Sequence, residues 1–295
     1  MPGVRLEAVC DSDSVRAEGA ARKLRCRPLT DARQLAGLVD AASLAVPTSL
    51  HAQLGAPLLR RGIHLLIEKP IAACLPEADA LIRAAASARR ILQVGHVERF
   101  NAAIHAARRH LTHPRFIEVH RLSAYPFRGT DVSVVLDVMI HDLDLVLLLV
   151  RARAARIDAV GVPVLSGSED IANARVAFAG GCIANLTASR ISDEPVRRIR
   201  VFQEDSYLSI DYRAQTVELA RLRRSHGKLP AGPAQVIERV ALPVSQRPPL
   251  QDELAAFVRS VRMRRPPLVS GEDARAALAL ALRIEAAMRR ARRDV

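Results

Sequence analysis

Short aliphatic runs alternate with helical patterns over the first hundred residues, and nothing else in the sequence constrains the fold as strongly. Residues 4–10 ("VRLEAVC"), 25–29 ("RCRPL"), 41–47 ("AASLAVP"), 63–67 ("IHLLI") and 90–95 ("RILQVG") read as strands. Residues 12–24, 31–39, 48–61 and 75–89 between them read as helices. Strands joined through helices pair in parallel, because each connection must cross over before the next strand begins. The helices then cover both faces of the sheet. A doubly wound sheet of this kind takes its ligand beyond the carboxyl ends of its strands. Residues 63–72, "IHLLIEKPIA", mark such an end: three aliphatic residues run straight into Glu68, Lys69 and Pro70.

After residue 98 the pattern changes. A helix at 99–111 leads to an alternating strand at 115–122 and a long apolar helix at 132–150. About six short strands follow between 156 and 242, separated by turn signals such as "FAGGC" (178–182), which indicates an antiparallel sheet. Helices at 250–264 and 272–292 close the chain, the second N-capped by Ser270. The expected organisation is a Rossmann-type parallel α/β domain at 1–98, then an α+β domain with a large, mostly antiparallel open sheet at 99–295.

Composition excludes several classes. The 49% hydrophobic share suits a soluble protein with a real core, and at 3% aromatics that core is aliphatic. No apolar run reaches the roughly 18 residues that span a bilayer, and the N-terminus lacks the pattern of a signal peptide. Four cysteines without C-x-x-C spacing indicate reduced thiols in a cytoplasm and no metal site. The net charge of +13 comes almost wholly from scattered arginines, since only Lys23, Lys69 and Lys228 are lysines. No nucleic-acid motif accompanies it, so no nucleic-acid partner is expected.

Four segments, "VCDSD" (9–13), "VPTSLH" (46–51), "IEKP" (67–70) and "DVMIHDLD" (137–144), together resemble the glucose–fructose oxidoreductase and inositol dehydrogenase (Gfo/Idh/MocA) family. Within it, "VGHVERFN" (94–101) and "YPFRGTDVSVVLDVMIHDLD" (125–144) are most similar to members that oxidise the 3-hydroxyl of UDP-N-acetylglucosamine. The resemblance implies an NAD-dependent dehydrogenase of a nucleotide-linked sugar, acting as a homodimer or homotetramer. A dehydrogenase of a free sugar or polyol such as inositol is the alternative within enzymes, and an inactive dimerising relic the alternative outside them.

Oxidising an alcohol requires a general base for the hydroxyl proton and benefits from positive charge near the forming oxygen. Asp137 and His141 lie four apart on an expected helix and share a face, with Asp144 one turn on. The resemblance casts His141 as base, Asp137 as a partner that orients it or the sugar, and Lys69 as the charge beside the reacting hydroxyl. A structural histidine and an ordinary surface lysine are the plain alternatives. Asp11 ends the first strand and suits the adenosine ribose hydroxyls, favouring NAD over NADP, although Arg16 and Arg22 lie close in sequence. A helix N-cap is the other role open to Asp11. The resemblance places Pro47, Thr48, His51, Glu68, Lys69 and His96 along the cofactor. Arg99, Asn101, Arg128 and Asp144 are the candidates for the substrate, arginine being suited to a diphosphate.

The family's first strand and G-x-G-x-x-G turn have no counterpart in these residues. The strand that carries Asp11 corresponds to the second of the fold, so about 30 residues, one βα unit, are expected to be missing ahead of it. The strands flanking that gap are expected to have unpaired inner edges, and cofactor binding is expected to be weak.

Overall fold

The computed structural model describes residues 1–125, 132–222 and 237–292. The chain forms two compact units. One is Met1–His96 with Glu253–Arg275, and the other is Val97–Asp252 with the chain from Ala276 onward.

The first unit is built from β1 (Ala8–Cys10), α1 (Ser14–Leu24), β2 (Arg27–Leu29), β3 (Ala41–Leu44), α2 (His51–Arg60), β4 (His64–Ile67), α3 (Leu75–Ala88) and β5 (Leu92–Val94). All its strand pairs are parallel, as the crossover helices require. They fall into two sheets, β1–β2 and β3–β4–β5. Among the described residues β1 pairs only with β2 and β3 only with β4, so the inner edges of both are unpaired. The first strand is shorter than its apolar pattern predicts, because residues 4–6 are exposed and find no core. The helix expected at 31–39 is a single 3₁₀ turn, Ala32–Leu35, capped by Asp31 and ended before Gly37, whose φ of +75° leaves the helical region. Within the core, a Cβ on Gly55 would stand 2.8 Å from Leu81 Cδ2, so that close approach of α2 to α3 depends on glycine.

Helices α6 (Pro249–Met263) and α7 (Gly271–Ala291) follow the large sheet in sequence. The boundary expected at 98 assigned both to the second domain, but residues 253–275 belong to the first unit. The reason lies in bonding to β5 and α3. Val94 N donates to Val269 O at 3.2 Å, Gln93 bridges Ser270, and Arg275 reaches Asp79 at 2.5 and 3.1 Å. Ser270 caps α7 as expected, accepting from Asp273 N at 3.1 Å while Asp273 accepts from Ser270 N at 3.0 Å.

Among the described residues, the second unit holds α4 (Ala102–Arg108), β6 (Phe116–Leu122), a π turn at Val135–Met139 running into α5 (Ile140–Val150), and then seven strands. These are β7 (Ala154–Val162), β8 (Ile171–Phe178), β9 (Ile183–Ser189), β10 (Val196–Phe202), β11 (Ser206–Asp211), β12 (Thr216–Leu222) and β13 (Ile237–Ala241). The eight-stranded sheet runs β13-β12-β11-β10-β6-β9-β8-β7, antiparallel except for the parallel pair β6–β9. One face shares a core with α5 and α7 through Ile117, Val119, Leu186, Val201, Leu143 and Ile284. Cross-strand pairs on the polar positions, such as Arg200–Glu118 at 3.2 Å and Arg221–Glu238 at 2.8 Å, neutralise part of the arginine excess. Among the described residues no helix is long and apolar enough to cross a membrane.

Candidate active site

In the first unit the candidate residues collect where the parallel strands end. Asp11 directly follows β1, half-buried; its carboxylate accepts from Asp13 N at 2.9 Å and pairs with Arg16 at 3.2 Å. Asp13, not Asp11, caps α1, accepting from Val15 N and Arg16 N, so the Asp11 carboxylate keeps acceptor capacity for hydroxyl groups. After β3 come Pro47, exposed, and Thr48, half-exposed. His51 is fully buried, and its two ring nitrogens face Pro70 O at 2.9 Å and Val46 O at 3.0 Å. The imidazole therefore ties the loop after β3 to the turn after β4.

That second turn is Glu68–Lys69–Pro70, and the Lys69–Pro70 bond is cis. Glu68 N donates to Leu44 O at 3.1 Å, which anchors the turn to the neighbouring strand. The Glu68 side chain lies along the backbone after β5: a Cβ on Gly95 would meet Glu68 Oε2 at 3.0 Å and its Cα at 3.3 Å. His96, 1% exposed, follows.

In the second unit Asp137 lies on the π turn and His141 on the first turn of α5, both half-buried. π turns are frequent at functional sites. Asp144, a turn further along, is buried and takes a bidentate pair from Arg99, Nε to Oδ2 at 2.7 Å and Nη2 to Oδ1 at 2.6 Å. Asn101 caps α4, its Oδ1 accepting from Ala103 N, while its amide donates to Tyr212 O at 2.8 Å. Arg99 with Asp144, and Asn101 with the Tyr212 carbonyl, thus form a buried frame within the second unit. Arg128 lies outside the described residues.

A further buried network holds α5. Arg121, from β6, donates to Asp142 at 2.8 and 3.0 Å and to Glu98 at 3.2 Å. Its guanidinium stands 5.0 Å from the centre of the Tyr212 ring, whose hydroxyl donates to Asp142 at 2.5 Å. Burial opposes the charge on Arg121, but Asp142, with Tyr212 and Glu98, more than offsets it and holds the guanidinium pKa well above its ordinary value. Burial, with the Asp142 charge, pushes the Tyr212 phenol well up, so it remains a neutral donor. Sequence reasoning missed these groups. The available signal was Arg121 itself: it stands in register with Ile117 and Val119, where an arginine is tolerated only when paired.

The residues present fit part of a nicotinamide dinucleotide. Asp11 offers a free acceptor position to a ribose, and the loops after β3, β4 and β5 lie at the strand ends where a doubly wound sheet binds such a ligand. No G-x-G-x-x-G turn occurs in the sequence, and no residue is assigned to the pyrophosphate.

Residues 1–96 match the family model "Oxidoreductase family, NAD-binding Rossmann fold", and residues 92–209 the Gfo/Idh/MocA C-terminal domain. The chain is 36% identical to UDP-N-acetylglucosamine 3-dehydrogenase of Acidithiobacillus ferrooxidans over 96% of its length and 90% of that protein's. A solved structure of that enzyme superposes with a TM-score of 0.88 at 35% identity, covering 96% of this chain and 89% of that one. Inositol 2-dehydrogenase of Rhizobium meliloti is 25% identical over 94% of this chain and 87% of its own. Family models, two-unit fold and similarity over 96% of the chain agree: the chain belongs to the Gfo/Idh/MocA oxidoreductases, and it is an NAD-dependent dehydrogenase acting on a CH–OH group.

Proposed function

We propose that this enzyme oxidises a ring hydroxyl of a nucleotide-linked sugar, UDP-N-acetylglucosamine at its 3-hydroxyl, to the ketone. The observation that carries the reading is the 36% identity, across 96% of the chain, to a dehydrogenase of that substrate. NAD, when bound, supplies the hydride acceptor. Asp11 accepts hydrogen bonds from the adenosine ribose, and Pro47, Thr48, Glu68, Lys69 and His96 border the remainder. His51 acts by fixing two of those loops. His141 removes the hydroxyl proton, Asp137 orients the imidazole, and the Lys69 ammonium stabilises negative charge developing on the oxygen. Arg128 is assigned to the diphosphate, where a fork of donors suits paired phosphate oxygens. Arg99, Asn101 and Asp144 contribute through the frame they build.

The test is NADH formation with UDP-N-acetylglucosamine. His141→Ala is expected to lower kcat about a hundred- to ten-thousand-fold. Undiminished turnover by that variant would refute the base assignment. Turnover of inositol without turnover of the nucleotide sugar would favour the polyol reading, which the Rhizobium meliloti relative supports. A cytoplasmic homo-oligomer completes the proposal: all four cysteines are free, and the polar strand positions of the large sheet offer a face laced with charge for a second copy.

A further inference from the structure

The interior of the first unit contains a carboxyl group with no role in the reaction as described. Glu253, on α6, is 1% exposed. Its Oε1 has no hydrogen-bond partner, and neither has Oε1 of Gln93 on β5. The two residues are in contact, since Gln93 Nε2 donates to the Glu253 carbonyl at 3.2 Å. Two buried acceptor oxygens in one cluster therefore lack donors, and such an orphan costs ~1–3 kcal/mol. A proton on Glu253 supplies a donor and removes a buried charge at once. Gln93, uncharged, bonds the Glu253 main chain from β5, and among the described residues the charge that bears on the carboxyl is that of Glu68, from the turn after β4. Burial, reinforced by the Glu68 charge, pushes the Glu253 carboxyl up to about 8. Glu68 in turn is wedged against Gly95, and its Oε2 lies 3.4 Å from Lys69 N.

We propose that Glu253 is protonated in the native protein at neutral pH and is a positioning residue for Lys69. Neutral, it lets Glu68 remain seated behind the Lys69–Pro70 turn. Ionised, it repels Glu68 and displaces the turn. The functional consequence rests on the assignment of Lys69 to the reacting hydroxyl.

The sequence makes the coupling measurable without cofactor or turnover. Its three lysines, Lys23, Lys69 and Lys228, give three resonances in protein labelled with ¹³C at lysine Cε, and Lys69→Arg identifies the relevant one. Over a titration into the alkaline range, the Lys69 resonance is expected to inflect near about pH 8, where Glu253 ionises. Glu253→Gln is expected to abolish that inflection. Glu68→Gln, which removes the neighbouring charge, is expected to move it to lower pH. No inflection in the native protein, its persistence in Glu253→Gln, or an unmoved inflection in Glu68→Gln would each overturn the proposal. Retained turnover in Lys69→Ala would instead overturn the role of Lys69 and leave the measured coupling standing.

Discussion

Tyr212→Phe tests whether the buried network around Asp142 holds the helix that carries His141. The substitution keeps the ring beneath the Arg121 guanidinium and removes one donor, the hydroxyl 2.5 Å from Asp142 Oδ1. The carboxylate is not orphaned, because Arg121 still donates to Oδ2 at 2.8 Å and to Oδ1 at 3.0 Å. The loss is therefore one hydrogen bond to a charged acceptor, about 2 kcal/mol. In a unit of this size that corresponds to a fall of about 4–8 °C in Tm. Arg121→Leu is a different perturbation. It leaves Asp142 and Glu98, 1% and 6% exposed, without the cation between them. Removing one partner of a buried ion pair costs ~3–5 kcal/mol, so this variant must be the less stable of the two. Both are measured by circular dichroism melts at neutral pH. A Tyr212→Phe protein within about 0.5 kcal/mol of wild type, or the reverse order of the two variants, would refute the account.

Glu253 should make stability fall as pH rises from about 4.5 to about 8. Its folded-state pKa of about 8 lies above the ordinary 4.5, so between those values the folded protein holds one proton more than the unfolded chain. Stability then declines by up to ~1.4 kcal/mol per pH unit, and Glu253→Gln should flatten that part of a denaturation–pH profile. Asp170 should act in the opposite sense. Its carboxylate accepts from Val164 N, Leu165 N, Ser166 N and Arg190 and is held well below the usual range, so its contribution is present above the ordinary carboxylate pKa and lost in stronger acid. Asp170→Asn leaves Arg190, 1% exposed, without its counter-charge, an expected cost of ~3–5 kcal/mol by urea denaturation. Asp11→Ala should weaken NAD binding in calorimetry without lowering Tm by more than about 0.5 kcal/mol equivalent, since Asp13 is the helix cap.

The sequence was most informative where one signal had one physical cause. Leu65 to Ile67 are buried on both faces of β4, and the charges after them stand at the strand's carboxyl end, as a parallel strand requires. The alternation of Phe116–Leu122 likewise reported its own burial pattern. Reading failed where partners came from distant segments. Arg99, Asn101 and Asp144 have the chemistry of ligand-binding groups, yet Arg99 and Asp144 pair with each other, and Asn101 bonds the Ala103 amide and the Tyr212 carbonyl. An isolated polar residue in a sequence does not reveal whether its partner is a ligand or a carboxylate 45 residues away. The attachment of 253–275 to the first unit was illegible for the same reason, since it rests on bonds such as Gln93 to Glu253, 160 residues apart. Arg121 was the exception that could have been read. A charge in an apolar register implies a buried counter-charge, and Asp142, inside the apolar run of α5, is the same signal from the other side. Two such anomalies in different elements predict each other's position. Applied to Glu253, the rule gives the opposite result: a carboxyl on the buried face of α6 beside Phe257, with no hydrogen-bond partner for its Oε1, marks a group that must stay protonated in order to stay buried.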